Sequence, residues 1–231
     1  MLIAGSVESR GQGGIGTLRL MGSVVVVVGG PGRPVAVSVP EGAVVIAADG
    51  GLEVARELGI AVDVVVGDFD SVAEDALEGV GRVERHPVVK DASDLELALA
   101  VALRLEPERI LVVGGGGGRL DHLFGSVLLL GSEAYARVQL DALLGEAVVH
   151  VVRGERLLVG AAGELVSLFA LHGPASGVVT EGLVYRLRGE TLKPGSSRGL
   201  SNVFVGGEAR IRVGDGVLLV VRPTGSDGAG S

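Results

Sequence analysis

Short β-branched runs, each cut off by glycine or aspartate, constrain this chain more than any other feature. Residues 24–28, 43–48, 64–66 and 108–113 are rich in valine and isoleucine and end at Gly29, Asp49, Gly67 and Gly114. Runs this short and apolar read as strands buried on both faces. Between them the spacing turns helical. Leu52, Ala55 and Leu58 share one side ahead of Gly59. Ser93 and Glu96 form a capping-box pattern before Leu95, Ala98, Leu99 and Ala102. A helical pattern resumes over 123–130, with short strands expected at 82–85 and 138–141. Strands alternating with helices imply a mostly parallel α/β sheet covered on both faces.

From about residue 148 the helical period disappears. Residues 148–152, 165–169, 177–180, 183–187, 209–213 and 217–221 are strand-like segments separated by glycine, proline and serine. They read as a small all-β, sandwich-like domain. The expected division is an extension over 1–20, an α/β domain over 21–145, a β domain over 146–223 and a flexible tail over 224–231. Met21 stands directly before the first strand and is a candidate start.

Composition excludes several classes. No uninterrupted apolar run reaches the roughly 18 residues a membrane span needs, so no membrane partner is expected. A net charge of −8 argues against nucleic acid as a partner, since that needs a basic surface. The chain has no cysteine, which removes thiolate metal sites and disulfides and agrees with a cytoplasmic location.

The chemistry collects where the strands end. Asp68 and Asp70 follow the run 64–66 two residues apart, so in extended backbone both point the same way. Two carboxylates roughly 4 Å apart repel by about 4 kcal/mol at an effective dielectric of about 20, and a divalent cation offsets that. Magnesium suits such a site, because it takes a few carboxylates and shares its other positions with water and substrate phosphates. A Gly-Asp-Ser turn is also ordinary loop chemistry. What shifts the balance is recurrence: Asp49, Asp91 and Asp94, then Arg119 and Asp121, stand at corresponding positions. Ligands of open parallel sheets sit beyond the carboxyl ends of the strands, so this series points to a metal–phosphate site. Gly114–Gly118 lets backbone amides approach a phosphate, but it is neither a Walker loop nor a dinucleotide fingerprint. Arg119 is placed for a forked phosphate contact. His122 fits a base, a phosphate donor or a structural hydrogen-bonder.

These residues resemble the thiamine pyrophosphokinase (thiamine diphosphokinase) family. The resemblance rests on Ala48-Asp49-Gly50-Gly51, Gly67-Asp68-Phe69-Asp70-Ser71, Lys90-Asp91-Ala92-Ser93-Asp94-Leu95-Glu96 and Gly117-Gly118-Arg119-Leu120-Asp121-His122. It continues through Val166-Ser167-Leu168-Phe169, Thr180-Glu181-Gly182-Leu183-Val184-Tyr185 and Gly195-Ser196-Ser197-Arg198-Gly199-Leu200-Ser201-Asn202. The resemblance implies transfer of the diphosphate of ATP to the thiamine hydroxyl, with release of AMP. It implies a magnesium site of Asp49, Asp68, Asp70 and Asp94, the last three being the catalytic candidates. ATP contacts would come from Asp49, Gly117, Gly118, Arg119, Asp121 and His122. Ser201 and Asn202 would meet thiamine, with Phe204 as an apolar wall. A homodimer with active sites between subunits is also implied. A diphosphokinase for another heterocyclic alcohol, such as a hydroxymethylpterin, and a non-catalytic nucleotide- or thiamine-binding module are the alternatives.

Overall fold

The computed structural model describes residues 22–32, 37–68, 80–86 and 91–224. The extension over 1–20, Met21, Asp70 and the tail over 225–231 lie outside these residues.

The valine runs form a parallel sheet. Its strands are β1 (Ser23–Val28), β2 (Val44–Ala48), β3 (Val64–Gly67), β4 (Arg82–Arg85), β5 (Arg109–Val113) and β6 (Gln139–Leu144). They lie in the order β4-β3-β2-β1-β5-β6, all parallel. Alternate residues of β1 serve opposite faces, which is why the whole run is apolar. Val24, Val26 and Val28 pack with Leu95, Ala98 and Leu99 of α2 (Asp94–Leu103) and Leu130 of α3 (Leu120–Leu130). Val25 and Val27 pack with Val54 and Ala55 of α1 (Gly51–Glu57) on the other side. Ser93 caps α2, its hydroxyl accepting from the Glu96 amide at 3.2 Å, as the sequence spacing predicts. Helix α3 starts at Leu120, three residues before its apolar period becomes visible.

The sheet continues past residue 145. A turn at Gly145 joins β6 to antiparallel β7 (Ala147–Val152). Next come β8 (Glu155–Val159), β9 (Leu165–Glu181), β10 (Arg188–Leu192), β11 (Asn202–Val203), β12 (Glu208–Arg212) and β13 (Asp215–Pro223). Their order is β7-β13-β9-β12-β8, with β10 and β11 pairing with β9. Strand β9 is one 17-residue strand where the sequence reads two. Gly173, Pro174 and Gly177, which look like breaks, lie where it leaves β13 and joins β12 and β10 in the second layer. Phe204, Leu168, Leu218, Val220 and Ile211 fill the space between the layers. Residues 183–187, read from sequence as a strand, form only a single bridge, Leu183 to Phe204. Strands β8, β10 and β11 carry too little apolar alternation to be foreseen. No described helix is long and apolar enough to cross a membrane.

A charged cluster joins the two halves. Asp141 of β6 faces His150 of β7, with Nδ1 to Oδ1 at 2.8 Å. Arg156 of β8 reaches both carboxylate oxygens, at 2.9 and 3.0 Å. Burial pushes the Asp141 carboxyl up, but the His150 hydrogen bond and the Arg156 charge outweigh it and hold the group below the ordinary range. The β half also holds the end of α3. Arg153 donates to the carbonyls of Gly131 and Ser132 at 2.6 and 2.8 Å, and His172 Nε2 lies 2.8 Å from that of Leu128. These contacts tie the β half to the C-terminal end of α3.

Candidate functional site

From β1 the chain winds outward through β2 and β3 to β4, then returns across the sheet to β5 on the other side of β1. The strand order reverses there, and such a point opens a crevice beyond the carboxyl ends. The loops after β1 and β5 line it. A Cβ on Gly117 would fall 2.8 Å from the Pro31 carbonyl oxygen, and one on Gly116 only 1.9 Å from the Gly145 nitrogen. The glycines therefore let three loops pack backbone on backbone, a reason additional to any contact with phosphate. Sequence reading treats 29–32 only as a strand end. Its signal is a second glycine-rich turn, after a strand that the topology sets beside β5.

Three of the candidate aspartates close a strand or open a helix of the parallel half. Asp49 follows β2 in the left-handed region, at φ 43°, and its amide donates to the Val66 carbonyl at 2.8 Å. Asp68 follows β3, whose Val66 is in register with Ala48, so Asp49 and Asp68 end neighbouring strands. Asp94 opens α2, which packs on β1, β2 and β3 through Leu95 and Leu99. Asp49 and Asp68 thus close adjacent strands and Asp94 opens the helix packed over them, while Asp70 is not described. Among the described residues no three acidic or histidine side chains close into a metal-binding group. The candidate donors are hard carboxylate oxygens on half-buried aspartates. That suits magnesium, which keeps several waters and phosphate ligands, better than an ion needing a full protein cage.

The start of α3 adds a charged pair. Arg119 is the N-cap and makes no side-chain cap bond. Its Nε and Nη2 donate to the two carboxylate oxygens of Asp121, at 3.2 and 2.6 Å. This hydrogen bond holds the Asp121 carboxyl down at about 2 and raises Arg119 above its ordinary value. The guanidinium that the sequence places toward phosphate therefore faces Asp121, and an arriving anion would have to compete for it. His122 is exposed in the same turn.

The β half contributes a separate cavity of about 370 Å³, lined by Tyr185, Leu187, Ser197, Arg198, Gly199, Leu200 and Asn202. Arg198 is forked onto Glu190 at 3.0 and 3.1 Å. Two of the expected thiamine contacts do not line this cavity. Ser201 is exposed, and its amide donates to the Ser167 hydroxyl at 3.1 Å. Phe204 is 1% exposed and lies in the core, with Arg222 Cζ 5.2 Å from its ring centroid. It is a packing residue here rather than a wall open to a ligand. Tyr185 and Leu200, half exposed at the cavity, are among the lining residues to which the sequence assigned no role.

Known proteins match this arrangement in both halves. Residues 38–140 match the family described as thiamin pyrophosphokinase, catalytic domain. Residues 148–218 match thiamin pyrophosphokinase, vitamin B1 binding domain. A thiamine pyrophosphokinase of Bacillus subtilis (strain 168) is 24% identical over 193 residues, covering 78% of this chain and 86% of its own. Its family is also seen in crystal structures. That of a thiamine pyrophosphokinase from B. subtilis superposes with a TM-score of 0.75 at 23% identity, over 88% of this chain and 99% of that one. One from Geobacillus thermodenitrificans gives 0.73 at 26%, over 89% and 99%. One from Candida albicans gives 0.69 at 15%, over 87% and 89%, a likeness of fold.

Proposed function

Because the chain belongs to the thiamin pyrophosphokinase family, we propose that it transfers the diphosphate of ATP to the hydroxyl of thiamine and releases AMP. The reading is supported by Asp49 and Asp68 closing adjacent parallel strands beside the reversal of strand order, where ligands of such sheets bind. Asp49, Asp68 and Asp94, with Asp70, would hold magnesium, whose charge would screen the phosphate oxygens during transfer. The thiamine hydroxyl attacks the β-phosphorus in line. One oxygen–phosphorus bond forms as the bond to the α-phosphate oxygen breaks, and the hydroxyl proton passes to one of the candidate carboxylates. Phosphoryl-type transfer is catalysed mainly by positioning and charge stabilisation, so no covalent enzyme intermediate is needed. Arg119, competing between Asp121 and phosphate, would join the site when ATP arrives. The cationic thiazolium is favoured by an acidic chain. A cytoplasmic location belongs to this reading and agrees with the lack of cysteine.

A homodimer with shared sites is part of the same proposal. The candidate aspartates belong to the parallel half and the cavity to the antiparallel half. Leu120, Phe124 and Leu128 form an exposed apolar stripe along α3, which suits a second copy. Incubation with ATP, magnesium and thiamine should give AMP and thiamine diphosphate in equal amounts. ADP formation, or preference for a hydroxymethylpterin, would refute the assignment. Mixing inactive Asp68→Asn chains with inactive chains altered at the cavity should restore activity if the sites are shared.

A further inference from the structure

Where residues 183–187 leave the strand ladder, a side chain takes over its role. Leu183 bridges to Phe204, Val184 donates to the Val203 carbonyl at 2.9 Å, and then no backbone partner faces Tyr185. Asn202 fills that place. Its Oδ1 accepts from the Tyr185 amide at 2.9 Å, and its Nδ2 donates to the Tyr185 carbonyl at 2.8 Å. The same Oδ1 accepts from the Val203 amide at 2.9 Å. Both polar groups of one peptide are thus held by a single side chain that is 2% exposed. The oxygen is fully used, and one N–H of the amide remains. The result is a fixed backbone at a residue that is 58% exposed beside the cavity.

We propose that Asn202 is a positioning residue: it fixes the Tyr185 peptide so that the Tyr185 ring is held as one wall of the cavity, and it acts on the substrate through that ring. The proposal rests on the reading that this cavity takes the acceptor alcohol. Without the clamp, a chain segment outside the ladder would sample other backbone conformations. The ring would then spend part of its time away from the cavity, so binding would weaken in proportion to the lost population.

The test uses the chain's shortage of fluorophores. It has no tryptophan and two tyrosines, Tyr135 and Tyr185. Tyr135 is buried beside α3, so a Tyr135→Phe background leaves Tyr185 as the sole emitter. In that full-length background, Asn202→Ala should speed the anisotropy decay of Tyr185. It should also raise the KM for thiamine about ten-fold, the loss expected if the ring keeps its place roughly a tenth of the time, with the KM for ATP unchanged. Asn202→Asp keeps the acceptor and loses the donor to the Tyr185 carbonyl. It sets a second acceptor against that carbonyl, so it should give a change of the same kind, and it serves if the alanine variant does not fold. In a Tyr185→Ala background, replacing Asn202 should have no further effect on thiamine KM. Unchanged anisotropy in both Asn202 variants overturns the proposal. So does faster ring motion with an unaltered thiamine KM. If the parent chain makes no AMP from ATP and thiamine, the functional reading falls, while the anisotropy still decides whether Asn202 pins Tyr185.

Discussion

Replacing Arg156 by methionine should separate the charge that holds the two halves together from the packing around it. Arg156 and Asp141 keep 16% and 22% of their side-chain surface exposed. Removing one partner of a fully buried ion pair costs roughly 3–5 kcal/mol, because the other charge is left uncompensated. Here some water still reaches the pair, and His150 still donates to Asp141 at 2.8 Å. The expected loss is therefore about 2–3 kcal/mol. At roughly 2–4 °C per kcal/mol for a protein of this size, the melting temperature should fall by about 4–12 °C. Thermal and urea unfolding followed by circular dichroism would measure it. A triple replacement, Asp141→Leu, His150→Phe and Arg156→Met, removes every charge and should recover most of the loss. The pH dependence follows with its sign. The Asp141 carboxyl is depressed in the folded state. Its stabilising contribution is complete above its unfolded value of about 3.9 and fades as pH falls through the lower folded value. The deficit of Asp141→Asn should thus be full at neutral pH and shrink below about pH 4. A loss under about 0.5 kcal/mol for Arg156→Met, or an Asp141→Asn deficit that persists undiminished at pH 2, would refute the reasoning.

Asp68→Asn and Asp70→Asn should each abolish most AMP release with unchanged circular dichroism; near-normal turnover in saturating magnesium would remove that residue from the mechanism. Arg119→Gln should return the Asp121 titration from about 2 toward the ordinary carboxylate value near 3.9, read by carboxyl carbon NMR, and should raise the KM for ATP. Gly116→Ala places a methyl 1.9 Å from the Gly145 nitrogen and should cost at least about 2 kcal/mol in urea unfolding, since backbone rather than a flexible side chain is in the way. Ser93→Ala removes the α2 cap and should cost about 1 kcal/mol by the same measurement.

The valine runs and the helical spacings are local patterns, so the parallel half was legible in the sequence nearly element by element. The capping box at Ser93 and the aspartates closing β2 and β3 follow from the same patterns, because each is set by residues within one turn or one strand end. Which loops meet is not a local property. That Gly29–Gly32 lies against Gly114–Gly118 follows from the strand order β2-β1-β5, which is decided by the packing of α1 on one face and α2 and α3 on the other. The same holds for β9, whose glycines and proline mark an end in sequence but a bend between layers in space. Phe204 and Tyr185 show the division most plainly. Both are aromatic residues on segments joined by the Leu183–Phe204 bridge, and only tertiary packing buries one between the layers and leaves the other at the cavity, held there by an amide seventeen residues away. The order of residues determines which carry charge and which prefer burial; the contacts between distant segments decide which of them are left at a surface or cavity.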